Sequence, residues 1–377
     1  MKILFVVPYY KPAYAYGGPI VVISMLAERL VILGHDVTVY TTASNVNTEL
    51  EVDKNQEIIV DGVRVFYFSK LTGDNTYISV KLWQYLNKTA TDFDVIHIHT
   101  WWNFLVLGSA LICRNKGIKP VISPHGMLSD YILNTRNVFA KKMVHRLLGK
   151  KLLQHSWLHV STEMEWDESR RIIEGWDGQI IPNLVKLPGK KYPRSDNPVF
   201  TIGFLSRIDP KKGLDVLIRA LSRVNFDYKL LIAGNGETHY IEALKNIARK
   251  SGNSDKIEWV GWKGGDGKFE FLSQVDLMAL TSHSENFAIV VIESLAVGTP
   301  VLISDQVGLF RYIAEKDYGW VTPLQIEIVT SRLNALFNER EKIARINNGC
   351  RQQIEQEYEE SRLAEQYLQL YNLSIKK

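Results

Sequence analysis

Short apolar runs alternate with longer amphipathic stretches along most of this chain, and they do so in two separate series. Ile3–Val7 is followed by a helical pattern over Pro19–Leu33, stopped by Gly34, and then by the run Asp36–Thr41. Val63–Phe68, Val95–Ile98, Val121–Ser123, Trp157–Val160 and Gln179–Ile181 continue the series. Strand-like runs separated by helices return to one sheet in parallel, with helices on both of its faces. From Pro182 to Pro198 the sequence carries four prolines, several lysines and no periodicity, which is the composition of a linker over 183–198. A second series then begins with Phe200–Leu205, Lys229–Ala233, Ile257–Val260, Leu277–Leu280 and Pro300–Ile303, and beyond about residue 324 the pattern is helical to the end. The expected fold is therefore α/β, with two doubly wound, Rossmann-like domains, 1–182 and 199–359, facing across a cleft.

Composition agrees with that division. At 377 residues the chain exceeds the size at which one core keeps growing. Its 46% apolar and 23% charged content is that of a soluble globular protein, and a net charge of +4 gives no footing for a nucleic-acid partner. Two cysteines, Cys113 and Cys350, lie far apart without metal-ligand spacing, which fits a reducing compartment, so a cytoplasmic location is expected. The apolar run before Pro8 is too short for a signal peptide, and no stretch approaches 18 apolar residues, so no membrane span is expected.

Two carboxylates, Glu285 and Glu293, lie eight positions apart in Ser284-Glu285-Asn286-Phe287-Ala288-Ile289-Val290-Val291-Ile292-Glu293. A helix after Asn286 would set them roughly 12 Å apart along its axis, with Glu285 beside the open N–H groups of the first turn. Glu285 there is equally suited to a plain helix start. Glu293 lies in an apolar run, where an unpaired charge would cost several kcal/mol, so something must pair with it. Upstream, Ser206-Arg207-Ile208-Asp209-Pro210-Lys211-Lys212-Gly213 follows a strand and opens a helix, the place where such folds bind anions. Arg207 offers a planar fork and Lys212 a point charge, a pairing suited to a diphosphate, whereas Lys211 reads as solvated. Gly17-Gly18 lies between the first strand and first helix, with Pro19 suiting the first helical position.

These residues resemble the E-x7-E motif and the Arg and Lys-Gly positions of the retaining family 4 glycosyltransferases, and the likeness covers nearly the whole chain. The resemblance implies the GT-B fold, with the last helix, about 360–377, returning to the first domain. It implies a nucleoside-diphosphate sugar as donor substrate, no metal and no other cofactor. The acceptor would be a hydroxyl on a sugar or lipid-linked sugar, as in polysaccharide or glycolipid assembly. Arg207 and Lys212 would then stabilise the departing diphosphate, Glu285 would hold the donor sugar and Glu293 the ribose. Asn286, Phe287 and Ala288 would line the donor, with Ala288 standing where many relatives have Gly. Gly17 and Gly18 would lie against the diphosphate, Gly234 and Gly236 near the nucleotide, and Trp262 beside the base. His125, in Pro124-His125-Gly126, would contact the donor sugar. Relatives carry an acidic residue after the next glycine turn, where Gly308-Leu309-Phe310-Arg311 offers Arg311.

Three further features bear on partners. His97-Ile98-His99 sets two imidazoles on one strand face, as in metal hydrolases, although without their further His, Asp and Lys set, and His99 is expected to line the cleft. Tyr14, Tyr16, Trp101 and Trp102 are candidates for a sugar-stacking wall on the acceptor side. From Tyr131 to Thr162 there is no acidic residue, while Arg136, Lys141, Lys142, Arg146, Lys150 and Lys151 share a helical pattern with Val138, Met143, Val144, Leu147, Leu148, Leu152 and Leu153. Residues 136–153 therefore suit either packing with a solvated basic face or peripheral contact with an anionic membrane surface. Besides a transferase, the sequence leaves open a GT-B epimerase or phosphorylase, a non-catalytic nucleotide-sugar binding protein and a metal-dependent hydrolase.

Overall fold

The computed structural model describes residues 1–46, 48–73, 76–135 and 137–375. The chain forms two compact units, the first made of Met1–Leu184 with the chain from Glu359 on, the second of Val185–Tyr358.

In the first unit the strands are β1 (Lys2–Tyr9), β2 (Asp36–Thr42), β3 (Ser44–Asn45), β4 (Thr48–Glu49), β5 (Glu57–Val60), β6 (Val63–Phe68), β7 (Val95–His99), β8 (Val121–Ser123), β9 (Trp157–Val160) and β10 (Gly178–Ile180). Eight of them make one sheet in the order β10-β9-β8-β7-β1-β2-β6-β5, while β3 and β4 form a separate antiparallel ribbon. β1 is central and buried from Ile3 to Tyr9, as expected of a strand covered on both faces. The pairings are parallel except at the β5 edge, which runs antiparallel to β6. Asp61 and Gly62, at φ 48° and 82°, make the two-residue turn between them. The helix Gly18–Ile32 follows β1, and the last helix, Glu360–Ile375, belongs to this unit. Its Leu363, Ala364, Tyr367, Leu370 and Tyr371 form one buried stripe at helical spacing. Arg29 pairs with Glu360, and the Tyr371 hydroxyl bonds His97 Nδ1 at 2.8 Å.

The second unit contains β11 (Phe200–Leu205), β12 (Tyr228–Ala233), β13 (Ile257–Gly261), β14 (Leu277–Leu280), β15 (Val301–Ser304) and β16 (Gly319–Thr322). They form one all-parallel sheet in the order β13-β12-β11-β14-β15-β16, the doubly wound arrangement whose chain direction reverses between β11 and β14. β16 was not expected from the sequence. The stretch expected as a linker is held on this unit from Val185 onward: Arg194 donates to Gly298 O (3.1 Å), Thr299 Oγ1 (2.8 Å) and Val275 O (3.1 Å). Among the described residues no helix is long and apolar enough to cross a membrane.

Candidate functional site

In the second unit, the loops after β11 and β14 leave the sheet at its switch point, where open α/β sheets take their ligands. The β11 loop runs through Ser206–Asp209 into a short 3₁₀ turn, Pro210–Lys212, capped by Asp209 Oδ1 on Lys211 N at 2.9 Å. Gly213, at φ 62°, then opens the helix Leu214–Leu221, and a Cβ there would lie 1.9 Å from Thr281 O. Thr281 returns the contact through its hydroxyl, which donates to Gly213 O at 2.8 Å. This contact ties the Lys212 turn to the start of the β14 loop. Lys212 Nζ consequently meets Glu285 Oε2 at 2.6 Å, both side chains being largely buried. Two residues that the sequence assigned to diphosphate and sugar form one ion pair. Arg207 beside them is exposed.

Lys211 departs from its expected solvated role. Burial lowers its ammonium below the usual lysine range, and Glu285, Lys212, Arg207 and Asp209 all act on it electrostatically. The turn thus gathers three cations, Arg207, Lys211 and Lys212, with two carboxylates, Asp209 and Glu285.

Glu285 does not stand beside a first helical turn, as was expected of it. The helix begins only at Ile289. Glu285 instead bridges Val307 in extended conformation, donating its N–H to Gln306 O (3.0 Å) and accepting from Gly308 N at 2.8 Å. Pairing with that loop holds residues 285–288 out of the helix, and Ala288 turns the chain at φ 58°, ψ 71°. The left-handed turn explains why glycine suits this position. Phe287 packs its ring in the core against Tyr358, so only its backbone is available to a ligand, while Asn286 is half-buried.

Glu293 is 6% exposed, and its pairing partner is Lys268, from the helix Asp266–Ser273, which donates to Oε1. The sequence required a partner here and offered ribose hydroxyls; the structure supplies a lysine. Burial raises the Glu293 carboxyl, and the Lys268 charge opposes that shift. Gly234 and Gly236 have a structural reason close at hand. A Cβ would lie 1.9 Å from Ser206 O at Gly234 and 2.1 Å from Ile208 O at Gly236. Their turn also bonds the β11 loop through Ile208 N to Asn235 O at 2.8 Å. Trp262 is 68% exposed and folds its ring over Gly264, so it is not a core residue. Arg311 lies in the first turn of the helix Phe310–Lys316, over the Phe310 ring.

In the first unit the candidates gather at the carboxyl ends of β1, β7 and β8. Gly17 adopts φ 82°, ψ −142°, a conformation reserved for glycine, and starts the helix Gly18–Ile32 with no side-chain cap from that position, glycine having none to offer. Thr100, Trp102 and His125 all have positive φ (73°, 51° and 52°). For a β-branched threonine this is an outlier, and such strain concentrates at functional sites. Asn103, unremarked in the sequence, braces the loop by donating to Thr100 Oγ1 (3.1 Å) and Trp101 O (3.0 Å).

His125 Nε2 and His99 Nδ1 are 3.1 Å apart. His99 is buried beneath His125 and does not line a surface; among the described residues its Nε2 has no partner. A buried N–H without an acceptor costs more than a bare ring nitrogen, so the network assigns the His99 proton to Nδ1, donating to His125 Nε2. His125 then carries its own proton on Nδ1. Burial pushes His125 down to about 4, so its ring is neutral at pH 7. His97 has both nitrogens engaged, by Tyr371 Oη and by Ser123 Oγ at 2.6 Å, and Ser123 in turn meets His159 Nδ1 at 2.5 Å. These imidazoles are committed to each other, and among the described residues no group of three or more His, Cys, Asp or Glu is arranged to hold a metal ion.

Glu165 was missed by the sequence reading. Its carboxyl oxygens accept from Gly126 N at 2.6 Å and from Ser161 N at 3.0 Å, fastening the His125 turn to the β9 loop. The signal was present as Thr162-Glu163-Met164-Glu165, a capping-box spelling in which Thr162 Oγ1 does accept from Glu165 N (3.2 Å).

The stacking wall is only partly realised. Trp101 is 1% exposed and lies in the core, which removes it from the wall. Tyr16 stacks on Tyr9 with centroids 3.9 Å apart, so one of its faces is taken, and Trp102 donates Nε1–H to Met127 O at 2.7 Å. Tyr14 is exposed. Of the basic stretch, Arg136 lies outside the described residues, and the remainder is helical over 138–154.

Comparison with known proteins covers both units. The family described as Glycosyltransferase Family 4 matches residues 16–205, and Glycosyl transferases group 1 matches residues 190–353. An uncharacterised glycosyltransferase of Methanocaldococcus jannaschii is 25% identical, across 100% of this chain and 99% of its own. Among solved structures, the sucrose-phosphate synthase of Thermosynechococcus elongatus superposes with a TM-score of 0.76 at 17% identity, covering 99% of this chain and 98% of that one. An Anabaena protein solved in complex with UDP and glucose gives 0.73 at 19% identity, covering 98% of each. These likenesses establish the GT-B fold.

Proposed function

The chain belongs to the glycosyltransferases of family 4, and on that premise we propose that it moves a sugar from a nucleoside-diphosphate donor to a hydroxyl acceptor, retaining anomeric configuration and needing no metal ion. The observation that carries this reading is the joining of Lys212 to Glu285 beside Arg207 at the switch point of the second sheet. The bond from the anomeric carbon to the diphosphate oxygen breaks, a bond to the acceptor oxygen forms on the same face, and the acceptor's proton passes to the departing diphosphate. Charge grows on that diphosphate, and Arg207 and Lys212 meet it in place of a metal ion. An ammonium has three donors, so Lys212 can hold Glu285 and a phosphate oxygen together. Glu285 takes hydroxyls of the transferred sugar. Glu293 takes the ribose through Oε2, its Oε1 being engaged by Lys268.

In the first unit, the uncapped helix start at Gly17-Gly18 and the neutral His125 are read as ligands of the diphosphate and the sugar. The Anabaena protein's complex with UDP and glucose supports a nucleotide-sugar donor here. The reading places the enzyme in the cytoplasm, acting on a sugar or lipid-linked sugar in polysaccharide or glycolipid assembly.

A thermal-shift panel of nucleotide-sugars identifies the donor, since a ligand at 100 times its Kd stabilises by about 2.7 kcal/mol. With that donor, Arg207→Ala and Lys212→Ala each lower turnover on the order of 10²–10³-fold while the fold survives. Near-normal turnover in either variant would sink the assignment. Nucleoside diphosphate released only when acceptor is present separates transfer from epimerase chemistry.

A further inference from the structure

The helix over residues 138–154 is built from Val138–Val144, a wider π turn at His145–Gly149 and Lys150–Gln154. Its inward side is closed by Gly149, Leu152 and Leu153, all buried. Its outward side is unlike an ordinary solvated face. Phe139, Met143 and Leu147 are 81%, 49% and 69% exposed and recur every four residues, so they form one continuous apolar ridge. Lys142, Arg146 and Lys150 recur at the same interval beside it, and all three are exposed. Lys141 is not part of that row, because its ammonium turns back to Ile132 O (2.6 Å) and Thr135 O (2.8 Å). No acidic residue lies between Tyr131 and Thr162 to neutralise the row.

We propose that this ridge and its basic row seat the protein on the surface of an anionic lipid bilayer, with Phe139, Met143 and Leu147 entering the headgroup layer. Two observations select lipid as the occupant. The cationic row has no acidic counterpart on its own segment, so its complement is an anionic surface. The apolar ridge and the basic row also lie side by side on one outward face, the pattern of a helix that lies in the headgroup layer. The inference stands apart from the reaction, since docking needs neither donor nor acceptor.

The test uses the purified full chain with sucrose-loaded vesicles, either pure phosphatidylcholine or phosphatidylcholine with 30% phosphatidylglycerol (about 0.1 M salt). The chain sediments with the anionic vesicles, and far less with the neutral ones. Each of Lys142→Gln, Arg146→Gln and Lys150→Gln lowers the partition constant roughly fivefold, and the three together lower it on the order of 100-fold. The triple variant Phe139→Ser, Met143→Ser, Leu147→Ser loses vesicle binding while its melting temperature stays close to the wild type's, because Phe139 and Leu147 are mostly exposed and Met143 is half exposed. Absence of wild-type binding to anionic vesicles overturns the proposal, as does undiminished binding by the triple serine variant. So does a triple serine variant that dissociates a wild-type dimer in light scattering without changing vesicle binding, which would assign the ridge to a second copy of the chain.

Discussion

Lowering the pH should unfold the first unit through its buried imidazoles, and the size of the effect follows from their number. His97, His99 and His159 are wholly buried, and burial holds all three well below the ordinary histidine range, His159 at about 3. In the unfolded chain each titrates near 6.5. A depressed folded pKa means that the unfolded state binds more protons between the two values. The stability these groups contribute is therefore complete above about pH 6.5 and drains away as the pH falls toward the folded value. Between pH 7.5 and 5.5 each imidazole removes about 1.4 kcal/mol, so these three remove about 4 kcal/mol and His125, held at about 4, adds a like amount, a large part of a domain's stability. The measurement is urea unfolding read by hydrogen exchange in peptides covering β7 and β9, so that the first unit is scored by itself. Carboxylates also titrate, and His159→Gln isolates the histidine share: between those pH values it should lose about 1.4 kcal/mol less than the wild type. Equal pH dependence in the two proteins would refute the argument. Ring C–H resonances of His97, His99 or His159 titrating near pH 6.5 in the folded protein would refute it as directly.

Three other outcomes follow from individual contacts. Ala288→Gly should stabilise the second unit by up to about 1 kcal/mol in urea unfolding, the roughly 1–2 kcal/mol cost of a left-handed alanine less the entropy glycine adds to the unfolded chain; a loss would mean that the methyl's packing outweighs the backbone. Lys268→Met leaves a buried carboxylate alone and should cost about 3–5 kcal/mol at pH 8. The loss shrinks by pH 5, because the raised Glu293 carboxyl then takes up a proton, and a loss independent of pH would show that Glu293 is not its source. Glu165→Ala frees the Gly126 N–H and should lower kcat more than it raises KM, with Glu165→Gln recovering most of the rate by keeping one acceptor; equal defects in both variants would exclude positioning of the His125 turn.

The alternation of apolar runs carried most of the architecture, because buried parallel strands and their helices leave strong local patterns. Val63–Phe68, Val121–Ser123, Trp157–Val160, Phe200–Leu205 and Leu277–Leu280 are strands at the expected bounds. β5 escaped because an edge strand with one face in water, Glu57-Ile58-Ile59-Val60, has no buried run; the Asp61-Gly62 turn was its available signal. The helix that carries Glu293 was expected to begin directly after Asn286, since the apolar period gives no sign of where the helix starts. Its start is set by Glu285 pairing with Val307, a contact between segments about twenty residues apart that no local pattern encodes. Lys268 was hidden for the same reason, as a partner fixed by the fold, whereas Glu165 carried a local capping-box signal that marks a helix start and not its bond to Gly126 N.

The glycines teach a sharper distinction. Gly213, Gly234 and Gly236 sit where a ligand's phosphates would be expected, and each also has a backbone oxygen within about 2 Å of where a Cβ would be built. An alanine at any of them displaces the β11 loop whether or not a ligand touches the glycine, so its effect on activity cannot separate contact from scaffold. Arg207 can. Its side chain is exposed and the loop beneath it is held by backbone bonds from Ser206 N to Ala233 O (3.2 Å) and Ile208 N to Asn235 O (2.8 Å). Removing the guanidinium leaves those bonds in place. A rate lost in Arg207→Ala, with the melting temperature unchanged, is therefore attributable to the charge itself, and the same rate lost in Gly236→Ala is not.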